Sequence, residues 1–258
     1  MSDDTTKPET KHRNDPYGSF EGQPESAGSP LIPAATVVLL RDGTQGIEVL
    51  MLRKTSKISF GGMWVFPGGK IDAEDYPGKD PDSGATEAAA RNAAVRETAE
   101  EAGLALSVDD FVQFSHWTPP PSTPKRFATW FFAAPARGAE DIVRVDGQEI
   151  DDYQWVNPTT ALERHALQEI DLVPPTWVSL YHLSQFDKTA AAISRLQREP
   201  VRSYFTRLAK RSDGVRVAMW HGDAGYDDYN ADADISQNSH RLVMAPGGFE
   251  YLHGAVDY

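Results

Sequence analysis

One stretch constrains this chain more than any other. It is a run of alanine, arginine and glutamate from Thr86 to Ala102, closed by Gly103. Alanine and glutamate favour helix, and a glycine just past such a run is where a helix stops. The pattern predicts one helix over 86–102. At about 100° per residue, Glu97, Glu100 and Glu101 share one side of it. Ala88, Asn92, Val95, Ala99 and Ala102 share the other. The expectation is an acidic front and a small, mostly apolar back turned to a core.

Glutamates this close repel one another at both i,i+3 and i,i+4. Arg96, on the flank beside Glu100, relieves part of the repulsion. A hard divalent ion would relieve more, since Mg²⁺ takes oxygen ligands and keeps waters and substrate phosphates in its shell. The alternative for the same residues is a solvated acidic face.

Upstream, Trp64-Val65-Phe66-Pro67-Gly68-Gly69-Lys70 is a short apolar run ending in a glycine turn. Together the two stretches resemble the Nudix box of the Nudix hydrolases, G-x5-E-x7-R-E-U-x-E-E-x-G-U with U apolar. Gly69 stands for the first glycine; Arg96, Glu97, Glu100, Glu101, Gly103 and Leu104 match the second half, with Thr98 at the first U. There are two departures. Arg96 lies 27 positions after Gly69 where the pattern has 14, an insertion of 13 residues. It is expected within 72–86, which is rich in Pro, Gly and Asp and reads as a loop. Eight residues before Arg96, where the pattern has its first glutamate, stands Ala88, with Glu87 as the neighbour that could substitute.

The resemblance implies a metal-dependent pyrophosphohydrolase. Water attacks one phosphorus of a diphosphate linked to another moiety, usually a nucleoside diphosphate. It assigns Glu97, Glu100 and Glu101 as ligands of Mg²⁺ or Mn²⁺, and Arg96 as a structural brace. The general base is either Glu149, outside the box, or Glu100 or Glu101 acting through a metal-bound water. Gly68 and Gly69, Arg53 and Arg126 are the substrate-binding candidates. His116, Trp117 and Phe127 are further candidates for the pocket wall. The likeness extends to a long-chain subgroup that includes a peroxisomal coenzyme A diphosphatase. Of that type's signature, L-L-T-x-R-[SA]-x3-R-x3-G-x3-F-P-G-G, Arg53, Gly62 and Phe66-Pro67-Gly68-Gly69 keep the spacing, whereas Lys54 and Ile58 depart from it. A coenzyme A-like substrate is therefore one expectation among nucleoside diphosphate derivatives.

The implied fold is α/β, a Nudix α/β/α sandwich with a mixed sheet. Strands are expected over 35–40 and 47–53 as a hairpin or near neighbours in a sheet, then 64–66, within 104–117 after an acidic turn at Asp109-Asp110, 126–134 as a central strand, and 148–156. Helices are expected over 157–167, 174–186 and 190–196. Three units follow: a polar tail over 1–30, a Nudix domain over 31–199, and an extension over 200–258 packed upon it, with strands at 215–220, 241–244 and 249–252. Asp228-x-Asn230-x-Asp232 begins like a calcium loop but lacks the glycine and the closing glutamate, so 223–234 reads as a solvated loop.

Composition narrows the partners. A net charge of −13 excludes a general affinity for nucleic-acid backbones, which needs basic patches. It leaves room for small anionic nucleotides held by an ion and a few local cations. With no cysteine, disulfides and thiolate metal sites are excluded. No apolar run has membrane-spanning length and no signal-type segment opens the chain, so the expectation is a cytoplasmic protein without membrane partners. A homodimer is an expectation carried by the resemblance. Two other function classes stay open: a non-catalytic nucleotide-binding or regulatory protein on a Nudix scaffold, which the missing first glutamate favours, and an acidic interaction protein.

Overall fold

The computed structural model describes residues 29–55, 61–80, 86–136 and 142–256. The tail expected over 1–30 lies almost wholly outside them, as does Ile58.

β1 (Leu31–Gly43) and β2 (Gly46–Lys54) form the expected hairpin, with Gly43 opposite Gly46. β1 is long enough for two partners on that edge, because Ala34–Thr36 pairs with β4 (Gly68–Lys70). On its other edge β1 runs parallel to β6 (Arg126–Pro135), from Leu31 opposite Arg126 to Leu40 opposite Pro135. With β3 (Trp64–Val65), β5 (Val112–Thr118), β7 (Ile150–Val156) and β8 (Arg202–Phe205), the mixed sheet has eight strands. Their order is β3-β2-β1-β6-β5-β8, with β4 on β1 and β7 on β2.

Both faces of this sheet are covered, so its centre reads as an unbroken apolar run rather than an alternation. Val37 and Leu39 point to one face, with Leu50, Leu52 and Phe132. Val38 and Leu40 point to the other, with Val49, Met51 and Phe131. The first face is covered by α1 (Glu87–Ala102). The second is covered by α2 (Pro158–Ala166), α3 (Pro174–Leu183) and α4 (Thr189–Arg198), together with part of the C-terminal extension. The segment from residue 200 first adds β8 to the large sheet and then forms a four-stranded antiparallel sheet: β9 (Arg207–Lys210), β10 (Arg216–Met219), β11 (Arg241–Ala245) and β12 (Gly248–Leu252). Leu208, Ala218, Trp220, Leu242 and Met244 belong to the same core as the three helices. The seam is aromatic. Trp117 stacks flat on Tyr204 at 3.7 Å, and Trp220 stands edge-on to both.

Two expectations need correction. The buried side of α1 is Ala89, Ala90, Ala93, Ala94, Thr98, Glu101 and Ala102, while Ala88, Asn92 and Ala99 are exposed. Alanine lies all round this helix, so its sequence holds no apolar stripe to set its rotation. The neighbouring loop sets it instead. Second, 223–234 is not simply solvated. The Asp223 side chain is wholly buried and takes Arg241 Nε at 2.6 Å and Nη2 at 2.5 Å. Ala231, Tyr226 and Tyr229 pack over the outer side of the small sheet. Among the described residues no helix is long and apolar enough to cross a membrane.

Candidate active site

The site begins where β4 meets α1. Thr86 caps the helix, its Oγ1 accepting the Ala89 N–H, and Gly103 ends it in the left-handed conformation at φ 69°. The β3–β4 turn then lies directly against the last turns of α1. A Cβ on Gly68 would stand 2.4 Å from the Ala35 carbonyl oxygen, and one on Gly69 would stand 2.3 Å from Glu97 Oε1. Glycine is needed at 68 because backbone lies that close, and at 69 it leaves the Glu97 carboxylate its place against the turn.

Glu97 and Glu101, one helical turn apart, face this turn. Glu101 is almost fully buried; its Oε2 accepts the Gly68 N–H at 2.9 Å and its Oε1 accepts Lys54 Nζ at 3.1 Å. Burial pushes its carboxyl up to about 7, against the pull of the Lys54 ammonium and the Gly68 N–H. Burial raises Glu97 as well, opposed by Arg96. Glu100 lies at the rim with 59% of its side chain exposed and accepts Arg96 Nη1 at 3.2 Å.

Arg96 ties these groups together. It donates to Glu97 Oε1 at 2.9 Å and to the Lys70 carbonyl at 3.0 Å. It also grips Asp75 with two bonds, Nε to Oδ1 at 3.1 Å and Nη2 to Oδ2 at 2.8 Å. Asp75 is buried in a short 3₁₀ turn, Ala73–Asp75. The spacing back from Arg96 falls on Ala88 and does not reveal this residue. Counted forwards, Asp75 is the sixth residue after Gly69, the place the box pattern gives to its first glutamate. The insertion therefore follows Asp75. Glu87 does not fill that place: it pairs with Arg91, one turn along α1, at 2.7 Å.

These groups form one end of a cavity of about 670 Å³. Gly68, Gly69, Arg96, Glu97, Glu100, Glu101 and Glu149 line it together. Trp117, Phe127, Phe131, Pro119 and Pro174–Pro175 also line it, and Thr206 adds a wall from the extension. Glu149 precedes β7 with 60% of its side chain exposed, and its carboxylate lies 3.9 Å from Lys54 Nζ. Asp146 fixes that loop by accepting the N–H groups of Gln148, Glu149 and Ile150.

Three of the expected pocket residues lie elsewhere. Arg126 is buried outside the cavity lining, holding the Pro119 and Ser29 carbonyls, and so braces the proline segment. Arg53 points away, to Asp151 at 2.7 Å. His116 lies beside Trp130, also outside the lining. Trp117 does line the cavity, yet one ring face is covered by Tyr204.

Among the described residues no three Asp, Glu or His side chains form a ready-made ion cage. The expected set of Glu97, Glu100 and Glu101 is thus not assembled as three converging ligands, because Glu100 turns to the rim and Arg96. The donors nevertheless suit a hard ion. Mg²⁺ is usually held by one or two carboxylates plus substrate phosphates, and Glu97 and Glu101 are two carboxylates whose burial calls for a cation.

An α/β sandwich with a glycine turn set against an acidic helix is the arrangement that the sequence resemblance implies. A profile of the NUDIX domain matches residues 30–182. The crystal structure of a NUDIX hydrolase from Alicyclobacillus acidocaldarius is similar at 26% identity and a TM-score of 0.56, over 67% of this chain and all of that one. A MutT/nudix family protein from Enterococcus faecalis is similar at 20% identity and a TM-score of 0.40, over 52% of this chain and 46% of that one. No curated protein matches. The chain belongs to the Nudix family and is a hydrolase acting on phosphoric anhydride bonds.

Proposed function

We propose that this hydrolase cleaves a nucleoside diphosphate linked to another moiety, with Mg²⁺ or Mn²⁺ held by Glu97 and Glu101 and with Glu100 at the rim. The observation that carries this reading is the pair of buried carboxylates on the cavity wall, closed over by the Gly68–Gly69 backbone. A bound ion would neutralise charge developing on the diphosphate and lower the pKa of a bound water. The chain's own residues do the rest. Arg96, gripped by Asp75, fixes the Glu97 carboxylate beside Gly69. Gly68 and Gly69 let phosphate oxygens come close to the backbone.

Glu149 is the better base. Both oxygens of Glu101 already accept a hydrogen bond, whereas Glu149 stands open on the cavity wall. Phe127, with the proline segments, offers a planar surface for a base. A coenzyme A-like substrate receives less support, since Arg53, the retained arginine of that signature, faces away from the cavity. The non-catalytic reading loses its main argument now that Asp75 stands in the vacant glutamate position. The residues 200–258 act as part of the catalytic unit, since Thr206 reaches the cavity.

The test is hydrolysis of NDP-sugars, dinucleotides and coenzyme A with and without Mg²⁺, in ¹⁸O-labelled water to locate the attacked phosphorus. Glu101→Gln is expected to lower turnover by about 100-fold or more with the thermal midpoint retained. Undiminished turnover would remove Glu101 from the mechanism.

A further inference from the structure

The acidic end of the cavity carries a cation of its own. β2 ends beside a bulge: Arg53 is opposite Asp152 and Lys54 opposite Ile150, leaving Asp151 as the extra residue. Bulges re-aim side chains beside active sites. Here Arg53 goes outward to Asp151, and Lys54 goes into the cavity with 14% of its side chain exposed. Its Nζ stands 3.1 Å from Glu101 Oε1 and 3.9 Å from Glu149 Oε2. The other Glu101 oxygen takes the Gly68 N–H. Each oxygen of Glu101 therefore has a donor, and one of those donors is an ammonium.

We propose that Lys54 competes with the divalent ion for Glu101 and so sets how weakly the site holds an ion until a diphosphate arrives. This rests on the reading of Glu97 and Glu101 as ion ligands. An ion that takes Glu101 Oε1 must expel the ammonium or sit within a few ångströms of it, and like charges that close in a part-buried site repel strongly. A diphosphate brings the negative charge that both cations need. The displaced ammonium then has a phosphate oxygen or Glu149 to turn to. Lysine suits such a move, being a compact charge on a flexible stem, where arginine presents a rigid fork. Ion and substrate then load together, and the empty cavity holds its ion loosely.

The test is a Mn²⁺ titration of the full chain at fixed pH without substrate, reading free Mn²⁺ by electron paramagnetic resonance. Lys54→Met is expected to bind Mn²⁺ about tenfold or more tighter than the native chain, because a positive charge has left the site. Lys54→Gln, which keeps a hydrogen-bond donor but no charge, is expected to follow Lys54→Met, whereas Lys54→Arg stays near native. Equal affinities in the native chain and both neutral variants would overturn the proposal and leave the ion reading standing. Absence of Mn²⁺ binding in every form would overturn both.

Discussion

Arg96 makes five hydrogen bonds to four residues: two to Asp75 and one each to the Lys70 carbonyl, Glu97 and Glu100. Only one of these, Asp75, is a buried partner that grips it from behind. Removing that carboxylate strands part of a guanidinium that is itself largely covered. Asp75→Ala is expected to lower stability by about 1–3 kcal/mol in urea unfolding and to lower kcat further, with Asp75→Glu restoring part of both. An unchanged kcat would show that Arg96 needs no support from behind. The residue scale also shows where sequence reading stopped short. Glu97, Glu100, Glu101 and Arg96 were legible because their spacing survives on a single helix. Asp75 was not, because an insertion separates it from the helix, and counting backwards from Arg96 lands on Ala88. Arg53 and Arg126 were misplaced for a different reason: strand sequences do not record which face an end residue takes when a bulge or a proline segment adjoins it.

At the scale of elements, the β3–β4 turn and α1 act as one unit. Both glycines of the turn are close to a neighbour, but the neighbours differ in kind. Gly68 abuts the Ala35 backbone and Gly69 abuts the tip of the flexible Glu97 side chain. Gly68→Ala is therefore expected to lower the thermal midpoint, since backbone must move. Gly69→Ala is expected to keep the fold and lose activity, since only a carboxylate is pushed aside. Thermal melts and turnover on the two variants would separate these outcomes; loss of fold in Gly69→Ala would place Glu97 in the scaffold. The two ends of α1 were legible from Thr86 and Gly103, whose roles depend on local backbone alone. Its rotation was not, for alanine packs equally well on any side and contact with the turn decides the matter. Three strands of the extension were likewise legible, β10 from the alternation in 215–220, whereas the short β8 and β9 were not, and the burial of Asp223 depends on Arg241, which lies 18 positions away.

At the scale of the whole molecule, histidines packed among aromatic rings link stability to pH. Burial holds His240 down to about 4 and His182 well below its usual value. His240 lies against Tyr204, Trp220 and Tyr251, and His182 against Tyr251, at the join between α3 and the extension. Both are neutral in the fold, while the unfolded chain takes up protons below the ordinary histidine value of about 6.5. Their contribution is fully present above that value and is lost as pH falls towards about 4. Buried Glu101, its carboxyl pushed up to about 7, works the other way over the same range, so the urea midpoint of Glu101→Gln, which lacks that opposing carboxyl, is expected to drop between neutral pH and about pH 5. A flat profile would show that this join does not limit stability.

The parallel register of β1 with β6 bears on how the chain is made. Among the described residues that precede β6, none takes its place on that edge of β1, where the partner begins at Arg126 and ends at Pro135. On the ribosome the opening hairpin waits with one long, greasy edge unmatched until that later segment emerges, and such edges recruit neighbouring chains. Dilution from denaturant should accordingly give a slow main phase and a yield that falls as protein concentration rises. A fast, concentration-independent return would mean that the two strands find each other early, drawn together by something other than their order along the polypeptide.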